Sequence, residues 1–214
     1  MSKAAVMKGR PKDLNKQAQQ KAKLIAAAEA LLCEKSYPHT TIREIAQRSG
    51  VNSAMVSYYF TNKEGLFIAL LEEMSKKHFT QMKAISQSNN PVKALITTLL
   101  AMLNNNNGLA RLIHSEFIEG NSAISQAFIA RFPKKMATFL PTLILKNTPI
   151  KDELKAKYAA FSLVTMIITP FINKSIRQSA WKISDEELKS PLWGEHIYQQ
   201  FMFGCTAQPS ANAK

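Results

Sequence analysis

Glycine, cysteine and acidic residues are all scarce in this chain of 214 residues, and each shortage excludes something. Seven glycines and nine prolines are too few for a collagen-like or turn-rich all-β protein. Two cysteines, Cys33 and Cys205, make neither a disulfide framework nor a zinc site, so we expect a reducing, cytoplasmic setting. Fifteen acidic residues face twenty-eight basic ones, and the net charge of +13 favours an anionic partner, with nucleic acid first.

Long hydrophobic runs are missing too. The longest uncharged stretch, residues 158–173, is shorter than the roughly 20 apolar residues that a membrane-spanning helix needs. It also contains Pro170, which should kink or end a helix near Thr169. We therefore predict no membrane partner, and a helix that is buried on nearly all sides within protein.

Apolar residues recur with the helical period along most of the chain, and no segment alternates as a strand would. The sequence therefore predicts an all-α fold. Thr41-Ile-Arg-Glu44 and Thr61-Asn-Lys-Glu64 both fit the capping box that begins a helix. Helices are predicted over 16–35, 41–49, 52–60, 61–74, from 91 to about 103, 109–118, 123–145, about 151–178 and about 191–204.

The spacing between residues 45 and 56 is typical of two short helices that cross closely. Ile45 and Ala46 face inward, Gly50 can take the positive φ of a tight turn, and Val51 and Val56 complete the apolar contact. This is the packing of a helix-turn-helix, whose second helix enters the major groove of DNA. On these positions alone, an ordinary helical hairpin with a glycine turn fits equally well.

More residues distinguish the two interpretations. Thr41-Ile-Arg-Glu-Ile-Ala46, Gly50-Val51, Tyr58-Tyr59-Phe60 and Asn62-Lys63-Glu64-Gly65-Leu66 together resemble the DNA-binding domain of the TetR family of bacterial regulators. The resemblance covers roughly residues 20–70. It implies a basic flexible arm (1–15), a three-helix helix-turn-helix domain (16–66), a larger helical effector-binding and dimerisation domain (67–205) and a flexible tail (206–214).

The resemblance also implies a function. Family members are sequence-specific transcriptional regulators, most often ligand-responsive repressors, which bind a palindromic operator in double-stranded DNA as homodimers. The predicted helices at about 151–178 and 191–204 would form the dimer contact. A basic, nucleoid-type protein that binds any duplex is the alternative. The four histidines lack metal-ligand spacing and no phosphate loop or nucleophile motif occurs, so we expect no metal, no cofactor and no enzymatic activity.

The DNA contacts implied by the resemblance lie at the ends and exposed faces of the short helices. Thr41, Tyr59 and Lys63 would hold phosphate, while Arg43 reaches either a guanine or a phosphate. The recognition helix opens with small, mostly uncharged residues, so few bidentate base contacts are expected. For both tyrosines, a place in the core remains open. The full predicted set is Thr41, Arg43, Ser53, Ala54, Met55, Ser57, Tyr58, Tyr59 and Lys63.

Two further regions keep open alternatives. Residues 1–23, which are the arm and the start of the first helix, carry seven basic side chains against Asp13. The arm (1–15) either enters the minor groove or is a solvated tail. In the second domain, aromatic and methionine side chains at helical spacing either line an effector pocket or simply form core. The effector candidates are His114, Phe117, Phe132, Met136, Phe161 and Met166.

Overall fold

The structure is a computed structural model that describes residues 14–105, 108 and 122–204. Within these ranges the regular elements are all α-helices and no strand occurs, which confirms the all-α prediction. None of these helices is long and apolar enough to cross a membrane. They are α1 (Leu14–Glu34), α2 (Ile42–Ser49), α3 (Ala54–Phe60), α4 (Lys63–Ile85), α5 (Pro91–Asn105), α6 (Ala123–Arg131), α7 (Pro133–Asn147), α8 (Glu153–Ile172), α9 (Lys174–Ser179), α10 (Asp185–Lys189) and α11 (Pro191–Phe203).

The first three helices and the start of α4 form a small bundle, called here the head (residues 14–70). Helix α1 packs against α2 and α4, and α3 packs against α4. Leu24, Leu31 and Leu32 recur at helical spacing and bury one face of α1. Ile45 from α2 is fully buried in the contact with α1, and Val56 from α3 is fully buried in the same core, where α3 packs against α4. Helices α1 and α4 thus hold the two short helices in place.

Helix α4 joins the head to the rest of the chain. It has 23 residues and is therefore about 35 Å long. Leu66 and Phe67 bury its first turns in the head, while the helix also packs against α5 and α6. The segment predicted to end near Met74 therefore continues to Ile85. The predicted domain boundary between residues 66 and 67 lies inside this helix, so the two predicted domains share one rigid element.

The second half of the chain is a larger helical bundle. Helices α7 and α8 pack along each other, α5 contacts both, and α11 lies against α5 and α8. Its buried core includes Leu95, Ile96, Ile144, Leu163 and Ile167. Among residues 14–105, 108 and 122–204, only one face of α8 is covered in this way, so these residues of one chain do not meet the prediction of burial on nearly all sides.

Prolines divide two of the predicted helices differently from expectation. The helix predicted over 123–145 is two helices, α6 and α7, which meet at Phe132, because Pro133 takes the first position of α7 and has no backbone N–H to continue the hydrogen bonds of α6. Pro170 lies inside α8, which continues to Ile172. Asn173 then separates α8 from α9, so the helix is interrupted three residues beyond Pro170.

Candidate DNA-binding surface and apolar cavity

A capping box fixes the start of α2, as the sequence predicts. The backbone N–H of Glu44 donates to Thr41 Oγ1 (3.3 Å), and the N–H of Thr41 donates to Glu44 Oε2 (2.9 Å). Glu44 also accepts from the Lys35 ammonium. The Lys35 hydrogen bond, followed by those of Thr41, lowers the pKa of Glu44 to about 2. The carboxylate is therefore ionised and engaged at neutral pH.

The turn between α2 and α3 is set by local hydrogen bonds. Gly50 ends α2 with φ +65°, the left-handed conformation expected of it. Asn52 Oδ1 accepts from the backbone N–H of Ala54 at 2.9 Å and opens the following helix. Val51 is buried beneath the turn. The predicted helix-turn-helix geometry is thus present, and sequence-local contacts hold it.

The recognition helix presents a surface of small residues and one aromatic ring. Ser53, Ala54, Ser57 and Tyr58 are exposed. Met55 is half-buried and packs against the core, so less of its side chain is presented than the sequence indicated. The hydroxyl of Tyr58 makes no hydrogen bond with another described residue, and 60% of the residue is exposed. Tyr58 is therefore available to a ligand on this surface.

Tyr59 lies behind that surface and links α3 to α1. It is half-buried against the core, and its hydroxyl donates to Gln20 Oε1 at 2.7 Å. The Lys21 ammonium lies 5.4 Å from the centre of its ring. Sequence reasoning missed Gln20, because nothing in the local pattern of α1 connects it to a residue 39 positions away. Tyr59 is therefore packed within the head and also lies close to the Lys21 ammonium.

Lys63 has a role that its sequence position does not reveal. Its ammonium donates to the backbone carbonyls of Tyr37 (3.1 Å) and Thr40 (2.9 Å), and lies 4.3 Å from the centre of the Tyr37 ring. Burial lowers the pKa of Lys63. An ammonium has three donors, so one remains for a phosphate oxygen. Lys63 therefore ties the turn before α2 to the start of α4.

The two arginines of α2 differ in their surroundings. Arg48 pairs with Glu34 on α1 at 2.6 Å. Arg43 is exposed and forms no ion pair with any other residue in the described ranges. Thr41 is exposed at the N-terminus of the same helix. Arg43 and Thr41 therefore lie together on the face that precedes the recognition helix.

From the sequence, Gly65 is notable only as a member of the motif that spans residues 62–66. Asn62, not the predicted Thr61, caps α4, and Asn62 Oδ1 accepts from the N–H of Gly65 at 2.8 Å. A Cβ atom at Gly65 would lie 2.0 Å from the carbonyl oxygen of Phe60. Only glycine allows α3 to end this close to α4. In the sequence, the available sign of this close approach was a glycine within the first turn of α4.

An apolar cavity of about 490 Å³ lies in the second bundle, between α4, α5, α6, α7 and α8. Three of the predicted effector residues, Phe132, Met136 and Phe161, lie in its wall. Met166 lies in a separate hollow near α11. His114 and Phe117 lie outside the described residues, as do Cys205 and most of the predicted arm and tail. The other described wall residues are His78, Leu99, Met102, Leu103, Phe128, Pro133, Ala137, Leu140, Pro141, Lys157, Ala160, Val164, Ile167 and Ile168.

His78 is the buried polar side chain in this wall, and the sequence interpretation did not select it. It is 4% exposed, its Nδ1 atom has no hydrogen-bond partner among the residues that the structure describes, and its ring lies 5.1 Å from Phe79 and 6.1 Å from Phe132. Burial lowers the pKa of His78 to about 4, so the ring is neutral at pH 7. Buried polar atoms without a protein partner are rare in native structures.

These features together define a helical DNA-binding regulator: a helix-turn-helix head on a larger bundle that encloses a cavity. The family model for bacterial regulatory proteins of the tetR family matches residues 24–70. A probable HTH-type transcriptional regulator, YttP of Bacillus subtilis (strain 168), is 30% identical over 161 residues, covering 71% of this chain and 77% of that protein. The chain belongs to the TetR family and is a DNA-binding transcriptional regulator.

Other relatives extend the comparison. The nucleoid occlusion factor SlmA of a Marinomonas species is 22% identical over 186 residues, covering 84% of this chain and 93% of that protein. The transcriptional regulator FadR from Bacillus subtilis, solved with stearoyl-CoA, has a TM-score of 0.71 at 18% identity, covering 86% of this chain and 99% of that chain. AibR, solved with isovaleryl coenzyme A and operator DNA, has a TM-score of 0.64 at 18% identity, and the match covers 86% of this chain and 98% of that chain. These structural likenesses establish the fold.

Proposed function

We propose that this regulator is a cytoplasmic, ligand-responsive repressor that binds a palindromic operator as a homodimer. The observation that carries the proposal is the exposed surface of α3, which has unpaired polar groups on a head whose own polar contacts are satisfied. Control of transcription, and not catalysis, is the activity we infer. A nucleoid-type role without sequence preference is the second candidate, and the small, uncharged side chains of the recognition helix favour it.

The proposed DNA contacts follow the order of the head. Ser53, Ala54 and Ser57 face base edges in the major groove, and Met55 reaches a thymine methyl with its exposed part. Tyr58 donates its unpaired hydroxyl to a phosphate. Arg43 contacts a guanine or the backbone beside it. The N–H and the hydroxyl of Thr41 both donate to Glu44, so a phosphate at this position would bind the free backbone N–H groups of the first turn of α2, beside Thr41. The remaining phosphate contacts are those of the edge of Tyr59 and of the third donor of Lys63.

The dimer contact is proposed on the uncovered face of α8 and the adjoining α11. Leu154, Tyr158 and Phe161 recur at helical spacing on α8 and are 54%, 63% and 75% exposed. Leu192 of α11 is 78% exposed. An apolar stripe of this kind on a two-helix surface fits the four-helix interface of a two-fold dimer. Dimerisation would place two heads about 34 Å apart, which is one turn of DNA.

Helix α4 is the proposed link between effector and DNA. It begins at Lys63 in the head and carries His78 in the cavity wall. A ligand that prefers one packing of the wall would shift α4, and with it the separation of the heads. Binding of a small apolar effector would thereby release the operator.

The experiment is selection of bound duplexes from a random pool by the purified protein. We expect enrichment of a palindrome with half-sites one helical turn apart. Arg43→Ala should weaken binding to the selected duplex about tenfold or more, whereas the matched control Arg48→Ala, whose residue is occupied by Glu34, should change it little. A pool without an enriched sequence would favour the nucleoid-type role, and equal effects of the two substitutions would contradict the proposed surface.

A further inference from the structure

The cavity carries two nitrogen-bearing side chains in its described wall, and they differ in exposure. His78 is buried; its Nδ1 atom is enclosed by protein and has no hydrogen-bond partner among the described residues, so Nε2 is the ring nitrogen that can face the cavity. Lys157 is exposed and forms no ion pair with another described residue. The rest of the described wall is hydrocarbon, proline or thioether. The wall therefore contains one buried polar group, His78, and one exposed cation, Lys157.

Helix geometry separates these two groups. The wall residues of α8 run from Lys157 to Ile168, a distance of about 16 Å along the helix axis. Helices α7 and α8 pack along each other and are joined by a short loop, so they run antiparallel and the end of α8 lies beside the start of α7. His78 lies against Phe132, directly before the start of α7. His78 and Lys157 are therefore at opposite ends of an elongated cavity.

The chemistry of each end restricts what can occupy it. A neutral imidazole nitrogen without a partner recovers a lost hydrogen bond when a hydroxyl or carbonyl reaches it. An exposed ammonium beside an apolar opening favours an acidic group that stays partly in water. The long wall between them accepts an unbranched or weakly branched hydrocarbon chain.

We propose that the cavity binds an elongated apolar molecule with an acidic group at Lys157 and a hydroxyl or carbonyl group hydrogen-bonded to His78. This inference rests on the proposed function, because it names the class of effector. Phe161, which is both in the wall and on the exposed face of α8, lies beside the acidic end. The far end of the ligand then contacts His78, which lies on α4, the helix that enters the head.

The test is calorimetric titration of the full chain with three probes: dodecanoate, ω-hydroxydodecanoate and dodecanol. The hydroxy acid should bind about fivefold to tenfold more tightly than dodecanoate, which is the effect of one additional hydrogen bond. His78→Leu should remove that preference while dodecanoate still binds. Lys157→Gln should weaken both acids severalfold and leave dodecanol unchanged, whereas the matched control Lys155→Gln, on an exposed position outside the wall, should alter none of them.

Equal affinity of wild-type protein for dodecanoate and its hydroxy derivative would overturn the role of His78, even if the Leu variant fails to fold. Absence of binding by both acids, or equal losses from Lys155→Gln and Lys157→Gln, would overturn the ligand class. Operator selection distinguishes these failures from failure of the proposed function. If the protein selects a palindrome but binds no probe, only the inference about the cavity is wrong; if no duplex is selected, the regulatory proposal is wrong.

Discussion

The head and the second bundle of this protein treat their polar and apolar groups in opposite ways. In the head, Glu44, Tyr59 and Lys63 each have hydrogen-bond partners across two elements. In the second bundle, the buried atoms His78 Nδ1 and Trp193 Nε1 have no hydrogen-bond partner in the described part of the chain. That bundle also encloses the cavity and exposes the apolar stripe of α8. The head is complete in a single chain, whereas the bundle leaves room for a ligand and a second copy.

This difference fits the two tasks of such a regulator. Surfaces that read DNA gain specificity when their groups are held in place before binding. A sensing domain needs at least two packings of similar free energy, and unfilled volume with unmatched polar atoms provides them. Substitutions that remove internal contacts of the head should therefore differ in effect from those that change the cavity or the exposed stripe of the bundle.

The largest effect is expected from Gly65→Ala, which would disrupt the head. A methyl group there would meet the Phe60 carbonyl oxygen at 2.0 Å, so the backbone between α3 and α4 must move. We expect a loss of about 3 kcal/mol in the free energy of unfolding, measured by urea denaturation. Gly50→Ala is the matched control, since its methyl meets nothing within 4 Å and only the positive φ is strained. That variant should lose about 1 kcal/mol. Similar losses for both would contradict the close approach at Gly65.

As pH falls, the second bundle should lose stability before the head does. The folded pKa of His78 is about 4 against 6.5 in the unfolded chain, so between these values the unfolded state binds a proton that the fold excludes. Stability should fall by up to about 3 kcal/mol as pH drops from 6.5 to 4. The folded pKa of Glu44 is depressed from 4.5 to about 2, so its contribution is lost only below pH 4.5.

Hydrogen exchange measured by region tests this order. Protection should fall first in the second bundle, between pH 6.5 and 4, and in the α2 region only at lower pH. His78→Leu should flatten the fall in the bundle, because no buried imidazole remains to be protonated. Loss of protection in the head before the bundle would show that His78 is not the first group to respond.

Sequence patterns predicted the head well because its contacts are close in the chain. The capping box joins Thr41 to Glu44, and the left-handed turn belongs to Gly50 alone. The roles of Lys63 and Tyr59 were harder, because their partners lie 23 to 39 residues away. Periodicity detected that α1 has a buried face but not which polar groups meet across it.

The second bundle was predicted as helical, and three of its six effector candidates lie in the cavity wall, but their spacing did not predict the cavity itself. Phe132, Met136 and Phe161 fit core and cavity equally well from their spacing, since both environments are apolar. His78 lies within an ordinary helical pattern, and only the convergence of α4, α6 and α7 surrounds it with hydrocarbon. A cavity is what packing leaves unfilled, so no local pattern encodes it.

A charge on the uncovered face of α8 should have the next effect. Leu154→Glu places a carboxylate within the proposed dimer stripe, and we expect the dimer dissociation constant to rise at least about tenfold. Sedimentation at several protein concentrations measures it. Lys155→Glu is the matched control, because that exposed side chain points about 100° around the helix from the stripe. If both variants dimerise as wild type does, the partner covers another surface.

The smallest effect separates the two adjacent tyrosines of α3. Tyr59→Phe removes the hydrogen bond to Gln20 and should cost about 1 kcal/mol of stability, since a half-buried acceptor loses its partner. Tyr58→Phe removes an exposed hydroxyl without a described partner, so stability should stay unchanged while operator affinity falls severalfold. Urea denaturation and fluorescence anisotropy with the selected duplex measure the two quantities on the same samples. Loss of stability in the Tyr58 variant would show that the hydroxyl of Tyr58 belongs to the internal contacts of the head, and unchanged stability in the Tyr59 variant would show that the hydrogen bond to Gln20 does not stabilise it.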